Sequence, residues 1–329
     1  MATKYEYRVS APGFASGKLV IDNNGNVVSQ LVGKSIFVRP GTGADTNDGL
    51  SPAKAKATLA GALAIATADS NDTVYLIAES NTAADTTDYQ ATALDWNKDG
   101  VHLIGINAGS MIGQRSRIAQ LSTVKTIEDL FTVSADNCYI SNIEVFHGVA
   151  TGTQTAGRAM VVSGQRNMIE NCQISGIGDS SFDDAGARSL HVSGSENTFR
   201  HCYLGLDTII RDTALCEVSV TSAARTTFED CVFNSYTSLS TFKSVIATSI
   251  DRFVNFKNCM FITVQNITSS VAPTGAISNV TPNGQINMLG CGVFGYADVT
   301  TSDDTKTLNL SYTATTVVDM GVAKATDVA

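Results

Sequence analysis

The chain has 329 residues, 43% of them apolar and only 16% charged, with a net charge of −9 at pH 7. That apolar share supports a sizeable core. The acidic balance disfavours nucleic acid and anionic membranes as partners, and no apolar run reaches the roughly 20 residues that span a bilayer. Thr, Ser, Asn and Gly are abundant, which points to an all-β chain of short strands and tight turns.

Taken in chain order, residues 1–34 form an arm. Its start, "MATKYEYRVS", has no apolar leader core, so synthesis in a cytoplasm is expected. Within it "GKLVIDNNGNVVSQ" (17–30) predicts a hairpin, two alternating runs around Asn-Asn-Gly-Asn. A strand over Ser35–Val38, a Gly/Asp/Asn-rich loop and an Ala/Leu helix over 53–68 follow, then a strand in "DTVYLIAES". The helix is placed to cover the open end of what comes next.

From about residue 139 a frame repeats. "VSGQRNMIENC" (162–172) and "VSGSENTFRHC" (192–202) share V-S-G-x-x-N-x-apolar-x-x-C. With cysteine as the mark, the positions are Cys172, Cys202, Cys231, Cys259 and Cys291, with Ile143 one step earlier. An apolar residue stands three before each mark and another two after it. A period near 30 with alternating apolar positions and no helix in the unit predicts a parallel β-helix, one coil per repeat. The marks then form an inward ladder of small apolar groups, structural rather than metal-binding, in a chain with no Cys-x-x-Cys pair. The residue before each mark (Asn142, Asn171, His201, Asp230, Asn258, Gly290) is placed at a left-handed turn. The repeat region spans 35–298, and 299–329 reads as one strand and a small-residue tail.

The opening segment carries a resemblance. Gly43, Asp45, Asn47, Asp48, Gly49, Ser51 and Pro52, followed by the helix and then Asp72, Thr73, Val74 and Leu76, resemble the start of pectin-lyase-like, right-handed parallel β-helix proteins. Ala55–Thr58 departs from the Pro-Phe-x-Thr often found there. The resemblance covers about residues 35–298 and implies the fold. It does not fix an activity, because lyases, hydrolases, viral tailspikes and shell proteins share it. The low-charge, Thr/Ser/Asn-rich solenoid also resembles β-helices of phage virions. That resemblance implies a non-enzymatic capsid decoration protein, a homotrimer bound to a major capsid protein on the virion surface, without cofactor or metal.

The alternative is a tailspike-like polysaccharide lyase or hydrolase. Enzymes of this fold use clustered carboxylates on neighbouring coils. The candidates here are Asp179, Asp183, Asp184 and Arg188 in "GIGDSSFDDAGAR", with Asp207, Arg211 and Asp212 one coil on; Asp179 and Asp207 are expected to be neighbours. The same residues also suit ordinary solvated turns. A third reading, a glycan-binding module, is the least supported, since aromatics are 7% of the chain with a single Trp. The four histidines show no ligand spacing; His191 flanks a strand and His201 falls in the turn ladder, both explained by packing.

Overall fold

The computed structural model describes residues 33–300 except 81, 108–111, 114–115, 149–156, 265–269 and 281–283, together with the strands Leu19–Ile21, Val27–Gln30 and Thr307–Leu310. Three parallel sheets of ten, eight and seven strands form the walls of a right-handed solenoid. Each turn visits them in the same order, as in Met168–Glu170, Gln173–Ser175 and Arg188–Val192. About seven turns contribute a strand to every wall.

The repeating frame is explained position by position. Val162 and Val192 are fully buried and paired in register. Gly164 and Gly194 lie where coils touch: a Cβ on Gly194 would stand 1.8 Å from the Gly164 carbonyl oxygen. Asn197 Oδ1 accepts the Asn167 backbone N–H at 2.9 Å, and Asn167 Oδ1 accepts that of Cys138 at 2.7 Å. This amide ladder satisfies buried turn donors that the strands leave unpaired. Phe199, Phe228 and Phe256 stack with ring centroids 4.8 and 5.2 Å apart. Each such ring contributes about 1.5–3 kcal/mol through burial.

The residues before the marks do adopt left-handed backbone, with φ of 55° at Asn142, 50° at Asn171, 51° at His201, 52° at Asp230, 50° at Asn258 and 65° at Gly290. Cys172, Cys202, Cys231, Cys259 and Cys291 are buried and free of disulfides. Their thiols donate to carbonyls one coil back, Cys202 to Ile169, Cys231 to Phe199 and Cys259 to Phe228, each at 3.5 Å.

Two boundaries differ from expectation. The helix expected over 53–68 is shorter: a 3-10 turn at Pro52–Lys54, a break, then Leu59–Ile65. The break arises because Asp45 accepts the backbone N–H groups of Ala57 and Thr58 and the Thr58 hydroxyl, which makes Thr58 the N-cap for Gly61. Lys98 and Lys34 close the other end on the carbonyls of Leu63, Ala66 and Ile65. Leu59, Ala62 and Leu63 pack into the common core. The second difference is Thr307–Leu310, which pairs in parallel with Gln285–Leu289 and so extends the ten-stranded wall past residue 298. In the arm, Leu19–Ile21 pairs antiparallel with Val27–Gln30; the turn between them and residues 311–329 lie outside the described residues.

Candidate functional site

The outer face of the seven-stranded wall concentrates the chemistry. In Arg188–Val192, Leu190 and Val192 enter the core, so His191 points outward. In Cys216–Thr221, Val218 and Val220 enter the core and Ser219 points outward. One row across the coils runs Thr132, Val161, His191, Ser219 and Ile246; beside it run Asp129, Arg158, Arg188, Cys216 and Lys243.

Arg158 and Asp129 form a two-pronged ion pair, Nε to Oδ1 at 2.5 Å and Nη2 to Oδ2 at 2.8 Å. Arg188 has no ion pair among the described residues and donates to Cys216 Sγ at 3.0 Å. Lys243 likewise lacks one and is buried; it donates to Thr241 O at 3.2 Å and Thr274 Oγ1 at 3.1 Å, and burial lowers its pKa. Arg188 is therefore the half-buried cation that this strip leaves without a counter-charge among the described residues. His191 Nδ1 lies 2.7 Å from Ser219 Oγ. Burial, then the charges of Arg158 and Arg188, push the imidazole down to about 4, so it is neutral at ordinary pH.

Two loops, 176–187 and 206–215, lead onto this face and hold the carboxylates singled out above. Asp179 is spent locally: its Oδ1 accepts from the Ser181 N–H at 3.0 Å and hydroxyl at 2.9 Å. Asp184 is half-buried in the same turn, where its backbone N–H donates to Phe182. Asp207 is exposed on the next loop and makes no hydrogen bond to Asp179 among the described residues.

The contact between coils is made by Asp183 instead. Its carboxylate accepts the backbone N–H groups of Asp212, Thr213 and Ala214 at 2.7, 2.9 and 3.0 Å. The Asp212 carboxyl is its electrostatic neighbour. Burial and this neighbouring carboxyl raise Asp183 to about 6, while the same contact lowers Asp212, whose side chain is exposed. One proton is thus shared by two carboxyls.

Arg211 is not at the surface. It is fully buried against Glu217, which also accepts a short hydrogen bond from Ser189. Glu217 and the His191–Ser219 pair were missed from sequence. The available signals were a lone charge inside the strand "CEVSVT" and a polar residue at the outward phase of two successive strands. Among the described residues, no three His, Cys, Asp or Glu side chains are grouped to hold a metal ion.

No family model matches the chain, and no curated protein matches it. Solved structures with its fold do exist. A rhamnogalacturonan lyase superposes with a TM-score of 0.53 at 17% identity, over 79% of this chain and 68% of that one. A pectin methylesterase from Aspergillus niger gives 0.54 at 14%, over 89% and 86%. The pectin methylesterase from Erwinia chrysanthemi gives 0.51 at 16%, over 89% and 93%. At these identities the likeness establishes a pectin-lyase-like parallel β-helix. It also corrects the first functional expectation. The neighbours are polysaccharide-acting enzymes, which goes against the reading as a non-enzymatic capsid decoration protein.

Proposed function

We propose that the chain is a glycan-degrading enzyme that holds an acidic polysaccharide along the outer face of the seven-stranded wall. The observation that carries this reading is the Asp183–Asp212 contact, one carboxyl raised and its exposed partner lowered. A carboxyl pair holding one proton both gives and takes a proton near pH 5, the requirement for acid–base chemistry at a sugar linkage. Asp212 is the group that meets substrate. Asp183, gripped by three backbone N–H groups, fixes its position and proton.

Asp183 is spent on the backbone N–H groups of 212–214 and is not placed as a second carboxylate across the substrate, as in two-carboxylate glycosidases. Asp212 therefore acts with its neighbour as one unit rather than across the substrate from it. Arg188 supplies positive charge for uronate groups. The enzymatic activities of the neighbouring structures support the same direction.

The test is incubation at pH 5 with polygalacturonate, methyl-esterified pectin, rhamnogalacturonan and a neutral glucan, following reducing ends, unsaturated products and methanol. Turnover on an acidic glycan is expected, with Asp212→Asn lowering kcat by about 100-fold. Turnover should also fall as pH rises through about 6, where Asp183 loses the shared proton. Full activity in Asp212→Asn, or no bond broken in any acidic glycan, overturns the reading.

A further inference from the structure

A second catalytic site is legible on the same wall. We infer that Ser219 and His191 form a nucleophile–base pair that hydrolyses O-acyl esters, such as acetyl groups carried on a polysaccharide. The two residues are register partners on adjacent coils on the side of the wall away from the core, Ser219 buried with 7% of its surface exposed and His191 half-buried, with Oγ and Nδ1 2.7 Å apart. Nδ1 accepts the hydroxyl proton when the ring hydrogen sits on Nε2, and Nε2 has no partner among the described residues. Packing of Leu190, Val192, Val218 and Val220 into the core fixes both strands, so the pair is held on rigid elements.

The surroundings suit acyl transfer. Arg158 and Arg188 lie close enough to bias the ring against a charge, with Asp129 opposing them. The imidazole is therefore a free base across neutral pH. Arg158 is neutralised by Asp129, whereas Arg188 keeps its full charge for an oxyanion.

In the reaction Ser219 Oγ bonds to the ester carbonyl carbon as its proton passes to His191 Nδ1. The tetrahedral oxyanion then collapses, the C–O bond to the sugar breaks, and the sugar oxygen takes the proton from His191. Water, deprotonated by His191, attacks the acyl-serine; the released acid leaves and Ser219 recovers its proton. No other reactant is needed. The chemistry is independent of the Asp183–Asp212 pair.

The experiment uses the intact protein with p-nitrophenyl acetate, and separately with a fluorophosphonate probe followed by peptide mass spectrometry. Wild type is expected to carry the probe on Ser219. Ser219→Ala and His191→Gln should each lose at least about 100-fold in ester turnover, with unchanged circular dichroism. Ser193→Ala, in the turn just after the strand that carries His191, should keep both label and turnover. Ester turnover should stay flat from pH 5 to 8, unlike glycan cleavage, which separates failure of this site from failure of the Asp212 reading. Absence of label on Ser219 in folded wild type, or undiminished turnover in Ser219→Ala, overturns the inference.

Discussion

Arg211 and Glu217 form an ion pair inside the solenoid wall with neither side chain exposed, Nη2 to Oε1 at 3.1 Å and Nε to Oε2 at 3.2 Å. The remaining donors of Arg211 reach the carbonyls of Ile209 and Gly176, and Ser189 serves Glu217. The pair therefore ties the loop carrying Asp212 to the preceding coil. Removing one partner strands a buried charge. Glu217→Ala is expected to cost about 3–5 kcal/mol, read as a lower urea midpoint at unchanged m-value. Glu217→Gln, which keeps an acceptor, should cost less. A loss under about 1 kcal/mol in Glu217→Ala would mean that water reaches Arg211.

Asp88 supplies a pH signature with an unusual sign. It is buried under the helix start, where its Oδ2 accepts the Leu59 N–H at 2.9 Å, and burial raises it to about 6. Because the folded value lies above the unfolded one of 3.8, its stabilising contribution is present below pH 3.8 and is lost as pH rises through 6. The loss is roughly 3 kcal/mol at most. Asp88→Asn keeps an acceptor for Leu59 and cannot ionise. Its stability relative to wild type should therefore improve between pH 4 and pH 7, as measured by denaturant unfolding at both values. A constant difference would show that Asp88 ionises freely in the fold. His147 acts in the opposite sense. Buried against Phe182 and pushed down to about 4, it withdraws stability as pH falls from 6.5 towards 4.

The coil was legible because stacking imposes a period on the residues that touch their own copies. Val162 and Val192, Asn167 and Asn197, and Cys172 and Cys202 each meet the equivalent residue one turn away, so the constraint is written in sequence as repetition. The loops 176–187 and 206–215 differ in length and do not stack copy on copy. Aligning them by the marks predicted Asp179 beside Asp207, whereas the contact formed is Asp183 with 212–214. In sequence Asp45 is one residue of a Gly/Asp/Asn-rich loop, yet its carboxylate decides where the helix begins, through contacts twelve and thirteen residues away. His191 and Ser219 were hidden for another reason. A single outward polar residue per strand looks like solvent exposure until the register places two of them side by side.

The seven cysteines permit a direct check of solenoid continuity. All seven are free and buried. Each is shut away from solvent, and within the ladder each thiol donates to a neighbouring coil's carbonyl. Thiolate is the reactive form and access requires opening. An aromatic disulfide reagent at pH 8 should therefore report no fast-reacting thiol in the native protein and seven after denaturation. Replacing Phe228, stacked between Phe199 and Phe256, with Ala should cost about 3–5 kcal/mol. That loss should speed modification of Cys231 and Cys259, the ladder members whose thiols donate to the Phe199 and Phe228 carbonyls. If opening is local, those two react ahead of Cys138, which lies outside the ladder, in the coil that begins with Tyr139–Ser141. Simultaneous reaction of all seven would mean that the coils unfold as one cooperative unit.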